Sequence, residues 1–181
     1  MELSEHVVET KQIYDGNVVH LRVDTIRLPD GRESKREIVV HRGAVCIVAI
    51  TEERDLLMVR QFRLAAGRAL LEVPAGTLEE GEEPHDCALR ELEEETGYTA
   101  GNLEPLFSAY LAPGYSTELM HAFLATGLFK RESPAMMDAD ENIAVDRIPM
   151  TEIDRLIADG ELQDSKSIAG ILTALRLVAD R

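Results

Sequence analysis

The chain has 181 residues, enough for one well-buried domain with a small appended unit but too few for two domains of ordinary size. Its formal net charge is −15. Because nucleic acids and anionic membranes attract positive charge, this balance argues against either as a partner. No stretch approaches the roughly 18 apolar residues of a membrane span, and residues 1–30 lack a signal-peptide pattern.

The two cysteines lie singly in apolar surroundings. Neither Cys46 nor Cys87 has a Cys-x-x-Cys partner, so the sequence predicts no zinc site and no disulfide framework. We expect both to be small core residues in a reducing, cytoplasmic location.

The first fifty residues have the pattern of β-strands. An Asp30-Gly31 pair is typical of a tight hairpin turn, and the continuously apolar run at 44–51 indicates a strand buried on both faces. We expect residues 1–41 to form a small antiparallel sheet and residues 42–181 to form the main domain. The strands predicted in this part are 7–14, 18–28, 37–41 and 44–51.

The remaining pattern alternates between strands and helices. A Pro113-Gly114 pair marks a turn, and one helix is predicted from Thr151 to Gly160. A last helix is predicted to cap at Asp164 or Ser165, with apolar residues at helical spacing after it. The strands predicted here are 56–63, 70–73, 103–110, 119–125 and 143–148.

The most unusual stretch runs from Val73 to Tyr98 and contains a turn, an acidic loop and a Glu-rich helix. The helix is predicted to begin near Pro84 and to end before Gly97. On a helix, like charges three or four residues apart destabilise by about 0.2–0.5 kcal/mol per pair. A hard divalent cation shared with a phosphate-bearing substrate is the simplest compensation, and a solvated acidic face is the alternative.

A helical wheel separates the acidic residues of this helix into two groups. Glu91, Glu94 and Glu95 share a stripe about 100° wide, whereas Glu93 faces away. An apolar stripe lies beside the acidic one. We therefore expect the three carboxylates at the margin of the core, where they could bind metal without being buried unpaired. The residues of the apolar stripe are Ala88, Leu89, Leu92 and Thr96.

The turn, loop and helix together match a fixed motif. The chain resembles the Nudix hydrolases, which cleave nucleoside diphosphates linked to another moiety, because it fills every fixed position of the Nudix box. Many specified positions at fixed spacing make this match highly specific. The matching stretch comprises Gly76, Glu82, Arg90, Glu91, Leu92, Glu93, Glu94, Glu95, Thr96, Gly97 and the apolar Tyr98.

The resemblance implies an α/β fold: a Nudix α/β/α sandwich around a mixed β-sheet, in which a loop-helix-loop binds two or three Mg²⁺ or Mn²⁺ ions. It implies that Glu91, Glu94 and Glu95 are metal ligands, together with the backbone carbonyl of Ala75. It also implies two supporting roles. Arg90 would orient the carboxylates through salt bridges, and with Glu94 it belongs to the catalytic set. Glu82 would brace the loop.

Similarity beyond the box points to the ADP-ribose pyrophosphatase group. The segments at 36–45, 59–63 and 164–170 are similar to that group, and Pro113 occupies the place of its marker proline. This implies hydrolysis of ADP-ribose, or a related ADP-sugar, to AMP and ribose 5-phosphate by a homodimer. Arg63 would contact the substrate phosphates. The full predicted substrate-binding set is Arg36, Glu37, Arg63, Pro113 and Glu118.

In that group the catalytic base usually comes from an acidic loop after the box. Asp138, Asp140 and Glu141 lie in the matching loop, and we choose Glu141 as the base or an additional ligand. Glu118 is the alternative. The sheet of residues 1–41 would support dimerisation and bind the nucleobase, for which Tyr14 is the aromatic candidate.

Two alternatives to ADP-ribose hydrolysis stay open. The same chemistry could act on GDP-mannose, FAD or a dinucleoside polyphosphate. A non-catalytic Nudix module that senses a nucleotide belongs to a different class of protein. The filled metal-binding positions of the box argue against the sensor.

Overall fold

The computed structural model describes residues 3–131 and 142–179. The chain divides into two compact units: the segment up to Gly43 with residues 109–119, and residues 44–108 with the chain from 120 onward. No helix in the described ranges is both long enough and apolar enough to cross a membrane. The predicted division of labour between residues 1–41 and 42–181 stays a prediction.

Ten strands and three α-helices make up the described chain. The strands are β1 His6–Asp15, β2 His20–Arg27, β3 Glu33–Val40, β4 Ala44–Ile50, β5 Asp55–Arg63, β6 Arg68–Glu72, β7 Ala75–Thr77, β8 Tyr98–Tyr110, β9 Leu119–Lys130 and β10 Ile143–Pro149. The helices are α1 Pro84–Thr96, α2 Ile153–Ala158 and α3 Ser165–Ala179.

The first unit contains the small sheet predicted for the N-terminal part. Strands β1, β2 and β3 pair antiparallel in that order, with the turn between β2 and β3 at the predicted hairpin. Every residue of β1 is exposed, whereas β2 contributes the buried residues Asp24 and Ile26. The buried Asp24 carboxylate accepts a hydrogen bond from the Thr10 hydroxyl at 2.8 Å and pairs with Arg22.

The segment 109–119 belongs to the same unit and is held against β3. The Val39 amide donates to the Tyr115 carbonyl at 2.8 Å, and the Thr117 amide donates to the Val39 carbonyl at 3.0 Å. The predicted turn at Pro113 and Gly114 is present, closed by the Tyr115 amide donating to the Ala112 carbonyl.

The second unit is built on a mixed sheet of seven strands. The central order is β10-β5-β4-β9-β8, with β6 beside β5 and β7 beside β4. Strand β4 runs parallel to β9 and antiparallel to β5 and β7. All seven residues of β4 are buried, which confirms the prediction of a strand covered on both faces.

Alternate residues of β4 enter two separate cores. Cys46, Val48 and Ile50 pack in the cluster that contains α2 and α3 residues. Val45, Ile47 and Ala49 pack in the cluster that contains Cys87, Ala88 and Leu92 of α1. The period of two therefore places helices on opposite faces of the sheet, as expected for an α/β/α sandwich. Both cysteines are free, buried core residues, as predicted.

Several elements differ from the sequence-based expectation. Strand β7 was not predicted, and it forms because residues 75–77 pair with β4. Strands β8 and β9 are longer than the predicted 103–110 and 119–125. The helix predicted from Thr151 begins as a 3₁₀ turn and becomes α-helical at Ile153. The helix predicted from Pro84 to Gly97 is confirmed.

Candidate active site

Helix α1 carries the acidic residues to the edge of the core. It begins at Pro84, whose missing N–H is no loss at a first helical position, and ends at Gly97. Gly97 has a left-handed φ of 75°, and its amide donates to the Glu93 carbonyl at 2.8 Å. Cys87 and Leu92 are fully buried beneath the helix. Burial of this face fixes the direction of the acidic stripe beside it.

Arg90 is the centre of an ionic cluster on α1. Its guanidinium donates twice to the Glu82 carboxylate, at 2.8 and 3.0 Å, and once each to Glu91 at 2.8 Å and Glu94 at 2.9 Å. These hydrogen bonds, that to Glu82 above all, raise the pKa of Arg90. The expected salt bridges are therefore present. One fixed cation offsets the mutual repulsion of three carboxylates.

Glu82 is held by the loop as well as by Arg90. The Glu79 amide donates to the Glu82 carboxylate at 2.9 Å, which closes the acidic loop before α1. The hydrogen bonds from Arg90 are the largest cause that lowers the pKa of Glu82 to about 2. Glu82 thus joins the loop to the helix through charge-assisted hydrogen bonds.

The Glu91 carboxyl group lies directly against the backbone of Gly76. A Cβ atom built at position 76 would lie 1.9 Å from both Cδ and Oε1 of Glu91, closer than any real contact. Gly76 pairs with Val45 of the central strand, so the backbone at this point is held by the sheet. Position 76 therefore needs glycine for space rather than for an unusual backbone angle.

Glu95 is attached to the same short strand. The Ala75 amide donates to the Glu95 carboxylate at 3.0 Å, and Glu95 is only 5% exposed. A carboxylate this deeply buried needs partners that stabilise its charge. The structure therefore brings Ala75, Glu91, Glu94, Glu95 and Arg90 together at one edge of α1. Glu93 points elsewhere and pairs with Arg131 at 3.3 Å, as the wheel predicted.

The donor set suits a hard divalent cation, because carboxylate and carbonyl oxygens are the ligands that Mg²⁺ prefers. The space beside Gly76 that a Cβ would fill admits the Glu91 carboxylate. Within residues 3–131 and 142–179, however, no three His, Cys, Asp or Glu side chains already converge as a metal-binding group. The Nη1 atom of Arg90 contacts both Glu91 and Glu94. Arg90 therefore fixes the positions of two of the three candidate carboxylate ligands.

Arg63, predicted to bind phosphate, lies at the end of β5 and donates to the Glu72 carboxylate at 2.8 and 2.9 Å. The pKa of Arg63 is raised by its hydrogen bonds to Glu72 and further by the charges of Glu72, Glu95 and Asp164. Arg63 is thus within electrostatic reach of Glu95 on α1. The Arg63 side chain remains 43% exposed, which leaves it accessible to a ligand.

The sequence-based reasoning missed two charged residues behind Arg63. Glu72 is buried at the end of β6, and Lys166 of α3 forms an ion pair with it. Burial alone would raise the pKa of Glu72, but the hydrogen bonds from Arg63 and the charge of Lys166 outweigh burial and lower it. The available signal was the glutamate itself, since a charge inside the apolar run 70–73 needs a buried partner.

Four other predicted site residues lie in the first unit. Arg36 on β3 pairs with Glu5 at 2.5 Å, and Glu37 is exposed on the same strand. Pro113 is exposed in its turn, and Glu118 is half-buried, its amide bonded to the Ser116 hydroxyl at 3.2 Å. Their predicted substrate contacts stay predictions. Asp138, Asp140 and the predicted base Glu141 lie outside the described residues.

Comparisons with known proteins agree with this arrangement. The NUDIX domain model matches residues 40–170, and the model of the nucleoside diphosphate sugar hydrolase N-terminal domain matches residues 5–39. The chain is 43% identical to a methanol dehydrogenase activator of Bacillus methanolicus over 92% of this chain and 90% of that protein. It is also 43% identical to an ADP-ribose pyrophosphatase of Bacillus subtilis, over 93% and 91%.

A solved structure shares the fold. The crystal structure of a protein described as an ADP compounds hydrolase matches with a TM-score of 0.87 and 20% identity. The match covers 97% of this chain and 95% of that one. At this identity the likeness supports the fold, and the family models and the sequence relatives support the family.

The Arg90–Glu82 pair predicts how stability depends on pH. Because the pKa of Glu82 is about 2 in the folded chain against its ordinary value of 4.5, its contribution is present above about pH 4.5 and is lost as pH falls towards about 2. We expect Glu82→Gln to lower the thermal unfolding midpoint at pH 7 and to reduce its difference between pH 7 and pH 3. Thermal melts followed by circular dichroism measure this.

The matched control is Glu80→Gln, which removes an exposed carboxylate from the same loop. It should leave the pH dependence of the unfolding midpoint close to that of the unaltered chain. Equal pH dependence in Glu82→Gln and the unaltered chain would contradict the assignment of a stabilising ion pair to Glu82.

Proposed function

Because the chain belongs to the Nudix family, we propose that it hydrolyses the pyrophosphate bond of ADP-ribose, or of a related ADP-sugar, to give AMP and ribose 5-phosphate. One observation carries the reaction class: Glu91 and Glu95 of α1 are held against Gly76 and Ala75 of a strand paired with the central sheet. The substrate is supported by the relative named an ADP-ribose pyrophosphatase.

Nudix hydrolases generally need a divalent metal ion. In our proposal Glu91, Glu94, Glu95 and the Ala75 carbonyl hold two or three Mg²⁺ or Mn²⁺ ions. Bound cations supply charge neutralisation of the pyrophosphate and lower the pKa of a water molecule. Arg90 orients Glu91 and Glu94 through its hydrogen bonds, and Glu82 fixes Arg90 from the loop side.

The remaining proposed roles are phosphate binding, proton transfer and further substrate contacts. Arg63 binds the substrate phosphates through its exposed guanidinium, whose charge complements the phosphate oxygens. Glu141 accepts the proton of the attacking water, with Glu118 as the alternative base. The other proposed substrate contacts are Arg36, Glu37, Pro113 and, for the nucleobase, Tyr14.

We also propose that the active form is a cytoplasmic homodimer that binds neither nucleic acid nor membrane. Strand β1 supports the dimer, because it is an edge strand whose apolar residues Val7, Val8, Ile13 and Tyr14 are all exposed. The net charge of −15 supports the absence of a nucleic-acid or anionic-membrane partner.

The reaction and its metal site are tested together. With Mg²⁺, we expect the chain to release AMP and ribose 5-phosphate from ADP-ribose, measured by chromatography and phosphatase-coupled phosphate detection. A chelator should abolish turnover. Glu95→Gln should lower kcat by about a hundredfold or more, because losing one ligand weakens both metal binding and charge stabilisation.

Glu93→Gln is the matched control, since it removes a carboxylate from the same helix on the face that pairs with Arg131. It should keep kcat within about twofold, because this ion pair lies away from the acidic stripe of Glu91, Glu94 and Glu95. Unchanged turnover in Glu95→Gln would refute the metal-site assignment. GDP-mannose, FAD and a dinucleoside polyphosphate complete the substrate panel. If neither ADP-ribose nor any of these compounds is hydrolysed, the result would support a nucleotide-sensing module instead.

Gly76→Ala tests the close contact with Glu91. The added Cβ would occupy the place of the Glu91 carboxyl group, so that group must move by an ångström or more. We expect kcat to fall by about a hundredfold, which is the order of loss that such a displacement causes. The unfolding midpoint should show that the variant is still folded at the assay temperature. Thr77→Ala, at an exposed position of the same strand, is the control and should keep kcat close to that of the unaltered chain. Full activity in Gly76→Ala would show that Glu91 needs no fixed position.

The proposed dimer is tested by the mass of the intact chain. Light scattering coupled to gel filtration should give twice the 20.1 kDa of one chain. Replacing Val8 and Ile13 of β1 with lysine should shift the mass towards the monomer, because charge on an edge strand opposes pairing. Lys11→Gln on the same strand is the control. A monomeric mass for the unaltered chain would contradict the dimer.

A further inference from the structure

A line of ionic contacts runs from the start of α3 to Arg63. Asp164 and Lys166 are paired at 2.9 Å, Lys166 contacts Glu72, and Glu72 accepts two hydrogen bonds from Arg63. The exposed fraction of the side chains is 16% for Asp164, 10% for Lys166 and 2% for Glu72, but 43% for Arg63. The line is therefore anchored in the interior and ends at a guanidinium that solvent can reach.

The anchored end is tied to the backbone on both sides. The Ser167 hydroxyl donates to Asp164 at 2.5 Å and accepts the Val73 amide at 2.8 Å. Val73 follows Glu72 directly in the chain, so the residue that holds Arg63 is fixed from both its side chain and its neighbouring backbone. An anchored carboxylate of this kind restricts the positions that Arg63 can adopt.

Stability alone does not explain this network. A buried ion pair is often no more stabilising than apolar residues of similar volume. The four charges also cancel, since Arg63 and Lys166 balance Glu72 and Asp164. The arrangement therefore adds no net positive charge for an anionic ligand. What it adds is geometry, because the two bonds to Glu72 use two of the five guanidinium N–H donors and fix the plane of the rest.

We infer that Glu72, held by Lys166, is a positioning residue that aims the guanidinium of Arg63 at the substrate phosphates. The inference deepens the proposed function and rests on it for the ligand, a nucleoside diphosphate sugar. Glu72 acts through Arg63 and touches no reacting atom. Its contribution therefore belongs to substrate binding, as a change in KM, rather than to the chemical step.

Two substitutions at position 72 separate geometry from charge. Glu72→Gln keeps the shape but removes a negative charge near an anionic ligand, so electrostatics alone predicts equal or tighter binding. Glu72→Asp keeps the charge but withdraws the carboxylate by one methylene, so electrostatics alone predicts no change. Positioning predicts weaker binding in both variants. Both variants should fold, because Lys166 keeps its ion pair with Asp164 and the partly exposed Arg63 side chain can be solvated.

The experiment measures KM and kcat for ADP-ribose with Mg²⁺, and the Kd of ADP-ribose in chelator by calorimetry. We expect KM and Kd to rise about tenfold in Glu72→Gln and in Glu72→Asp, the scale of one charged hydrogen bond, with kcat within about threefold. Asp146→Asn is the matched control, because it removes the ion-pair partner of Arg60, which lies on the same strand β5 as Arg63. It should change neither constant by more than about twofold.

A double-mutant cycle then tests whether Glu72 acts through Arg63. In an Arg63→Gln background, Glu72→Gln should change the Kd of ADP-ribose by less than about twofold. An equal effect with and without Arg63 would overturn the inference, as would unchanged or tighter binding in both single variants. Failure of the unaltered chain to hydrolyse ADP-ribose would refute the proposed reaction, whereas the calorimetric cycle would still decide the role of Glu72.

Discussion

A single guanidinium placed among three carboxylates allows α1 to carry its acidic face at the edge of a hydrophobic core. Arg90 donates to Glu82, Glu91 and Glu94, and it does so from the turn of the helix where like charges would otherwise repel. The apolar face of the same helix is buried against the sheet. Without the arginine, burial of one face would force the acidic residues together. With Arg90 in place, one helix can bury its apolar face and still carry its glutamates side by side.

The central strand supplies the second half of the arrangement. Because β4 pairs with the three-residue strand β7, the backbone beneath α1 is part of the sheet rather than a free turn. Glu91 then packs on Gly76, and Glu95 binds the Ala75 amide. Glu91 is thus held from two sides, by Arg90 on the helix and by backbone of the sheet, while Glu94 is held by Arg90 and Glu95 by the Ala75 amide. This double attachment distinguishes the candidate site from an ordinary solvated acidic helix.

The sequence was sufficient for features governed by short-range patterns. Helix α1, its acidic stripe and the outward direction of Glu93 follow from helical periodicity, Pro84 and Gly97. Strand β7 was beyond such reasoning, since three residues show no period and become a strand only by pairing with β4. The Glu72–Lys166 pair was missed for a related reason. It joins residues far apart in the chain, and only the tertiary fold makes them neighbours.

Pairing of β7 with β4 has a consequence for the motions of the molecule. The amide of Ile47 on β4 donates to the Pro74 carbonyl, and both of these residues are buried. Segments held in this way open only when the core itself opens, so their amide hydrogens exchange on the timescale of global unfolding. Arg63 lies instead at the exposed end of β5, where its two hydrogen bonds to Glu72 hold the side chain. The backbone at residues 74–77 is therefore as rigid as the core, whereas the position of the Arg63 side chain depends on one ion pair.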